Sequence, residues 1–194
     1  MTRRTTEEDW HGTGGHEAAR PDGRSEPGSP EHARAVCLRL LSSAPCTRKE
    51  LADALRRRGV PTEVAEEVLS RFEEVGLVDD AAFAAAWVES RHHSRGLARR
   101  SLARELRSKG VAASLVDDAV GQVDDAQEEE TARRLVERRL RTMPPVDEQK
   151  RLRRLVAMLA RRGYPEELAL RVVREVLAES GTDPEVLERH LPGV

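Results

Sequence analysis

Arginine is the residue that most equips this chain for chemistry. Lysine and arginine together number 33, and only Lys49, Lys109 and Lys150 among them are lysines. A guanidinium keeps its charge at any physiological pH and presents a planar fork of donors to carboxylate or phosphate oxygens. The chemistry on offer is therefore recognition of an anion. The candidate contacts to an anionic partner are Arg95, Arg99, Arg100, Arg104, Arg107 and Lys109. Of these, Arg100, Arg104 and Arg107 stand at offsets of four and three and can share one face of a helix.

Bond-making chemistry finds no comparable arrangement. The sequence has no glycine-rich phosphate loop, GxSxG elbow or HExxH pair. His92 and His93 are adjacent, and helical neighbours point about 100° apart, which is poor geometry for sharing a metal. Asp79-Asp80, Asp117-Asp118 and Asp124-Asp125 stand beside helix starts or on acidic helices, where capping and solubility explain them. Cys37 and Cys46 show neither zinc nor disulfide spacing and are expected to be small packing or cap residues. Trp10, Phe72, Phe83, Trp87 and Tyr164 are too few aromatics for a base-stacking surface. Phe83 and Trp87, at i,i+4, are expected in the core, and Tyr164 falls in the packing slot of Val60 and Val111. The expectation is a protein with no catalytic residue, no metal and no cofactor.

Net charge is only −2, which gives the whole chain no pull toward nucleic acid. The charges are nonetheless segregated. Residues 31–58 hold seven bases and three acids (net +4), residues 81–111 seven and two (+5), and residues 132–162 eleven and three (+8). Residues 61–80 and 112–131 carry −6 and −7. Two readings of this alternation stand side by side. Equivalent helices of stacked units could merge their bases into a stripe for a polyanion. Alternatively, these are solvated faces whose charges pair at i,i+4 or between units.

The elements that would position these charges recur. Leu51-x3-Leu55-Arg56-Arg57-Arg58-Gly59-Val60 returns as Leu102-x3-Leu106-Arg107-Ser108-Lys109-Gly110-Val111, and again as Leu155-x3-Leu159-Ala160-Arg161-Arg162-Gly163-Tyr164. The glycines lie 51 and 53 residues apart, a period that accommodates one supersecondary unit per repeat. Each glycine suits the left-handed residue that closes a helix. Thr47-Arg48-Lys49-Glu50 has the form of a capping box, Ala35, Leu38 and Leu41 fall at helical spacing in the first helix, and Pro61 and Pro165 open later ones. Val64, Leu69 and Phe72 keep the same offsets from their glycine as Leu115, Val120 and Val123, and as Leu168, Val173 and Val176.

The middle of the chain is dominated by Ala, Leu, Arg and Glu, with almost no β-branched alternation. The sequence therefore predicts an all-α fold of three tandem three-helix repeats, residues 30–78, 79–123 and 124–180, forming an elongated, curved array. Residues 1–29, dense in glycine and proline, read as a disordered tail in which Trp10 is an incidental aromatic. Residues 181–194 read as a C-terminal tail with a short helix through Leu187. No apolar run has the length of a membrane span, and the N-terminus lacks the apolar stretch of a signal peptide. A cytoplasmic monomer is expected.

The stretch Leu77-Val78-Asp79-Asp80-Ala81-Ala82-Phe83-Ala84-Ala85-Ala86-Trp87-Val88-Glu89-Ser90-Arg91 resembles the RecX regulatory protein family, as does its continuation to Glu105-Leu106-Arg107-Ser108-Lys109-Gly110-Val111. Glu50-Leu51…Arg58-Gly59 and Arg161-Arg162-Gly163-Tyr164-Pro165 resemble that family's first and third repeats. The resemblance implies a helical, non-enzymatic modulator of the RecA recombinase. Such a protein binds RecA and its filament on single-stranded DNA, along the filament groove. It restrains ATP hydrolysis, filament growth and strand exchange in recombination, DNA repair and the SOS response. The resemblance carries no catalytic residue onto this chain. The basic segments fit that role without themselves identifying RecA. The rival reading is a direct DNA-binding helical module, contacting phosphate without RecA-specific action.

Overall fold

A computed structural model describes residues 26–144 and 146–180; the readings made of residues 1–25, including Trp10, and of residues 181–194 lie outside them. Nine helices occupy the described residues: α1 (Pro30–Leu41), α2 (Arg48–Arg56), α3 (Thr62–Glu74), α4 (Asp80–Arg95), α5 (Arg99–Ser108), α6 (Ala113–Gly121), α7 (Asp125–Arg141), α8 (Glu148–Arg161) and α9 (Glu166–Glu179). The described residues are all-α, in three tandem groups of three helices, each wrapped around an apolar cluster, the third of which also takes in Ala98 from the second unit.

Local signals set most helix ends. Ser29 caps α1 by accepting from the His32 N–H at 3.1 Å. The Thr47 box forms in full: the Glu50 N–H donates to Thr47 Oγ1 and the Thr47 N–H to Glu50 Oε2, each at 3.1 Å. Asp79 caps α4, and Asp124 caps α7 with Gln127 reciprocating. Caps of this kind are worth about 1 kcal/mol each. Pro61 and Pro165 sit one step earlier than expected, as the N-cap residues of α3 and α9 rather than their first helical residues. A missing N–H costs nothing at either place.

The first helix turns a different face inward from the one its large apolar residues suggest. Ala33, Val36 and Cys37 are buried, while Leu38 is 49% exposed and Ala35 faces solvent. Cys37 completes the i,i+3,i+4 stripe as a small hydrophobe. Burial, helped by nearby Cys46 and opposed by Arg58, pushes its thiol up to about 11, so it packs as an uncharged group.

The recurring glycine phrase closes three helices in one way. The Val60 N–H reaches back to the Leu55 carbonyl at 3.2 Å, Val111 to Leu106 at 3.2 Å and Tyr164 to Leu159 at 3.3 Å. Each bond spans a glycine of positive φ, the arrangement in which an N–H beyond the left-handed residue satisfies a carbonyl of the last turn. The leucine pairs Leu51/Leu55, Leu102/Leu106 and Leu155/Leu159 are all fully buried. Truncating any one of them to alanine should cost about 2–5 kcal/mol.

The same phrase also joins the units. The Thr47 hydroxyl, at the N-terminus of α2, donates to the carbonyl of Lys109 at the C-terminus of α5 (2.7 Å). The Ala98 N–H, at the N-terminus of α5, donates to the carbonyl of Arg162 at the C-terminus of α8 (3.0 Å). Carbonyl ends thus meet amide ends twice, the favourable order for helix dipoles. A carboxylate of the following unit then takes the first helical N–H: Arg48 N donates to Asp80 Oδ1 at 2.9 Å and Arg99 N to Glu128 Oε1 at 2.8 Å. Tyr164, buried, adds a bond from its hydroxyl to the Gly96 carbonyl at 3.2 Å. At Gly163 (φ +90°) a Cβ would collide with Ser101 in the first turn of α5, 2.9 Å from its backbone nitrogen. Glycine there serves both the turn and the close approach.

Candidate anion-binding surface

Helix α5 is amphipathic in the simplest sense. Ser101, Leu102, Ala103 and Leu106 are buried, and Arg100, Arg104 and Arg107 stand exposed on the opposite side. The expected sharing of a face by these three arginines follows from that geometry. Arg107 makes one ion pair, with Asp117 at 3.3 Å, between two exposed side chains. Such a pair contributes at most about 1 kcal/mol and is readily exchanged for a partner's anion. Arg95 ends α4 with an exposed side chain, while its carbonyl accepts from Arg162 Nε at 3.4 Å.

Arg99 and Lys109, at the two ends of α5, are engaged within the fold. The Arg99 guanidinium donates to Glu128 Oε2 from Nε (3.2 Å) and Nη2 (3.0 Å) and also meets Asp125. Lys109 Nζ donates to Glu50 Oε1 at 2.7 Å and lies 4.4 Å from the Trp87 ring centroid. Trp87 is half-buried rather than a core residue: it stacks on Phe83 with centroids 5.6 Å apart, donates Nε1 to Glu105 at 2.9 Å, and has the Arg91 guanidinium over its ring at 4.2 Å. An indole is commonly satisfied this way, apolar on one side and bonded at its N–H. The six candidate residues therefore divide into an exposed set, Arg95 at the end of α4 and Arg100, Arg104 and Arg107 on α5, and two, Arg99 and Lys109, that position α5.

Glu128 is the residue sequence reasoning did not single out. It is 3% exposed and anchors Arg99 by backbone and side chain together. In the sequence it is one acid in the run Glu128-Glu129-Glu130. The one available signal is that Arg48 and Arg99, both first residues of second helices, each meet an acid from the following unit. His92 likewise belongs to a joint, with Nδ1 at 2.9 Å from the Leu97 carbonyl and Nε2 at 3.0 Å from the Thr131 hydroxyl; His93 is exposed.

Comparison with known proteins bears on the three units one by one. Models of the first, second and third three-helix domains of RecX match residues 33–72, 79–120 and 127–173 respectively. The chain belongs to the RecX family. Each matched segment contains its unit's glycine phrase, and the second contains Arg100, Arg104 and Arg107. The regulatory protein RecX of Streptomyces lividans is 65% identical over 169 residues, covering 84% of this chain and 90% of the relative. That of Thermobifida fusca is 56% identical over 170 residues, 84% of this chain and 92% of the relative. The crystal structure of RecX from Lactobacillus salivarius, at 19% identity, shares the fold with a TM-score of 0.67 over 76% of this chain and 96% of its own.

Proposed function

We propose that this RecX-family protein binds the RecA recombinase and its filament on single-stranded DNA, and restrains ATP hydrolysis, filament growth and strand exchange. The observation that carries the reading is the three-domain family match. The exposed Arg100, Arg104 and Arg107 row within the second matched domain supplies a contact surface for an anionic partner. In this reading the protein acts by occupying a surface and performs no catalysis. It works as a cytoplasmic monomer in recombination, DNA repair and the SOS response. Arg95, Arg100, Arg104 and Arg107 make the contacts, and Arg99 and Lys109 hold α5 in place.

The rival, a DNA-binding module without RecA-specific action, would slow RecA only by covering the strand and would act equally on any single-strand-binding protein. RecA filaments on immobilised poly(dT) separate the two. The wild type should bind the filament well below the concentration at which it coats bare poly(dT), and R100E/R104E/R107E should bind about tenfold more weakly or worse. Absence of wild-type binding to the filament at several-fold excess would contradict the proposal.

A further inference from the structure

A second set of cations lies in the third repeat, on α7 and α8, and reaches the start of α5 only through Arg162, whose Nε donates to the Arg95 carbonyl. Lys150, Arg153, Arg154 and Arg161 project from one side of α8, at offsets of three, four and eleven from the first. With Arg139 of α7 and Arg162 they line a groove of about 590 Å³ whose floor is Ala157 and Met158. All six cations except the half-buried Arg162 are exposed. The ion pairs of this repeat use other residues: Arg133 with Glu175 and Glu179, Arg134 with Glu130, and Arg171 with Glu129. Among the described residues none of the six groove cations has a carboxylate within ion-pair distance, and no acid lines the groove.

We propose that this groove seats a single phosphodiester strand, without regard to base sequence. Lys150 to Arg161 covers about 16 Å of helix at 1.5 Å per residue, so the charge forms a line and suits a linear polyanion better than a compact ion. Arg139, Arg153, Arg154 and Arg161 are exposed guanidinium forks, which match phosphate oxygens with two donors each; Arg162 adds charge, with Nε and Nη1 already donating to the Arg95 and Met158 carbonyls. The Ala157 and Met158 floor offers an apolar strip for sugar and base edges, and the lining has no aromatic on which to stack a chosen base. An acidic protein surface would bring its own bases into the same line. A phosphodiester strand brings only charge of one sign at regular intervals. The inference is independent of the RecA reading, because it concerns naked nucleic acid.

Fluorescence anisotropy of a labelled oligo(dT), with the full chain and no RecA, tests it across a salt series. The wild type should bind at low salt, with log affinity falling linearly against log salt. R153E/R154E/R161E should bind at least about tenfold more weakly, with the slope reduced by about 2, given about 0.7 per phosphate contact on single strands. The neutral variant R153Q/R154Q/R161Q, milder toward the fold, should move the same way, while R100E/R104E/R107E should change oligonucleotide binding less than either. Wild-type failure to bind, or unchanged binding by both groove variants, overturns the site. Tighter binding of a duplex of equal length overturns the single-strand assignment. Competition by poly-glutamate as strong as by unlabelled oligo(dT) at equal charge overturns nucleic acid as the occupant.

Discussion

Glu128 holds the Arg99 backbone N–H on one oxygen and the guanidinium on the other while almost fully buried. A buried carboxylate is tolerable only when its oxygens are bonded, and its removal leaves the donors it served without partners. Glu128→Ala is therefore expected to lower unfolding free energy by about 2–4 kcal/mol, read from urea midpoints. Arg100→Ala, on the solvent side of the same helix, should stay within about 0.5 kcal/mol. Glu66 gives a pH test. A 2.6 Å hydrogen bond from Arg48 holds its carboxyl below the ordinary glutamate value of 4.5. Because the folded-state value is the lower one, the stabilisation is full above the ordinary value and disappears as pH falls through the lowered one. The wild type should melt above E66Q at neutral pH, and the gap should close as the pH is taken progressively below the ordinary glutamate value of 4.5. A gap that widened with acid would contradict the pairing. Thr47, Glu50 and Asp79 were legible in the sequence because a cap is decided within four residues. Glu128 was not, because its burial depends on how the third unit docks on the second.

At the scale of helices, the glycine phrase does two separable things, and substitution can separate them. Gly59 has φ +73° with nothing near its missing Cβ, whereas Gly163 has φ +90° and faces Ser101. Gly59→Ala should cost only the left-handed conformation, about 1–2 kcal/mol. Gly163→Ala adds overpacking at the joint, typically about 1–3 kcal/mol more, and should be clearly the less stable in thermal melts. Equal losses would mean that the close approach of α8 to α5 contributes nothing. The period near fifty residues revealed the three turns because identical backbone chemistry recurs in each. It did not reveal the joints, since the Thr47–Lys109 and Ala98–Arg162 bonds link residues 62 and 64 apart through groups of different kinds, a hydroxyl in one and an amide in the other. The buried face of α1 is not legible locally for a related reason: Leu38 is apolar, but packing against α3 and α2 selects the side bearing Ala33, Val36 and Cys37.

Over the whole molecule, ion pairing accounts for part of the charge pattern and leaves other cations exposed. In the first unit Lys49 and Arg56 both pair with Asp53, and Arg48 pairs with Glu66 and Glu73. In the second, Arg99 and Lys109 close joints, and the α5 row keeps one weak exposed pair. In the third, the α8 row is free of ion pairs among the described residues. Exposed cations outside these ion pairs stand in every unit, Arg39, Arg57 and Arg58 in the first, and they are most numerous in the third, a bias hidden by a net charge of −2. The central claim, that an exposed basic row on a RecX-family scaffold lets this protein restrain RecA, is tested most directly by steady-state ATP turnover of RecA on poly(dT). That turnover is titrated with the wild type and with R100E/R104E/R107E, each confirmed helical by circular dichroism. The wild type should depress turnover progressively, and the triple variant should leave it near the uninhibited rate. Unchanged turnover at several-fold excess of wild type, or equal inhibition by both proteins, would contradict the account.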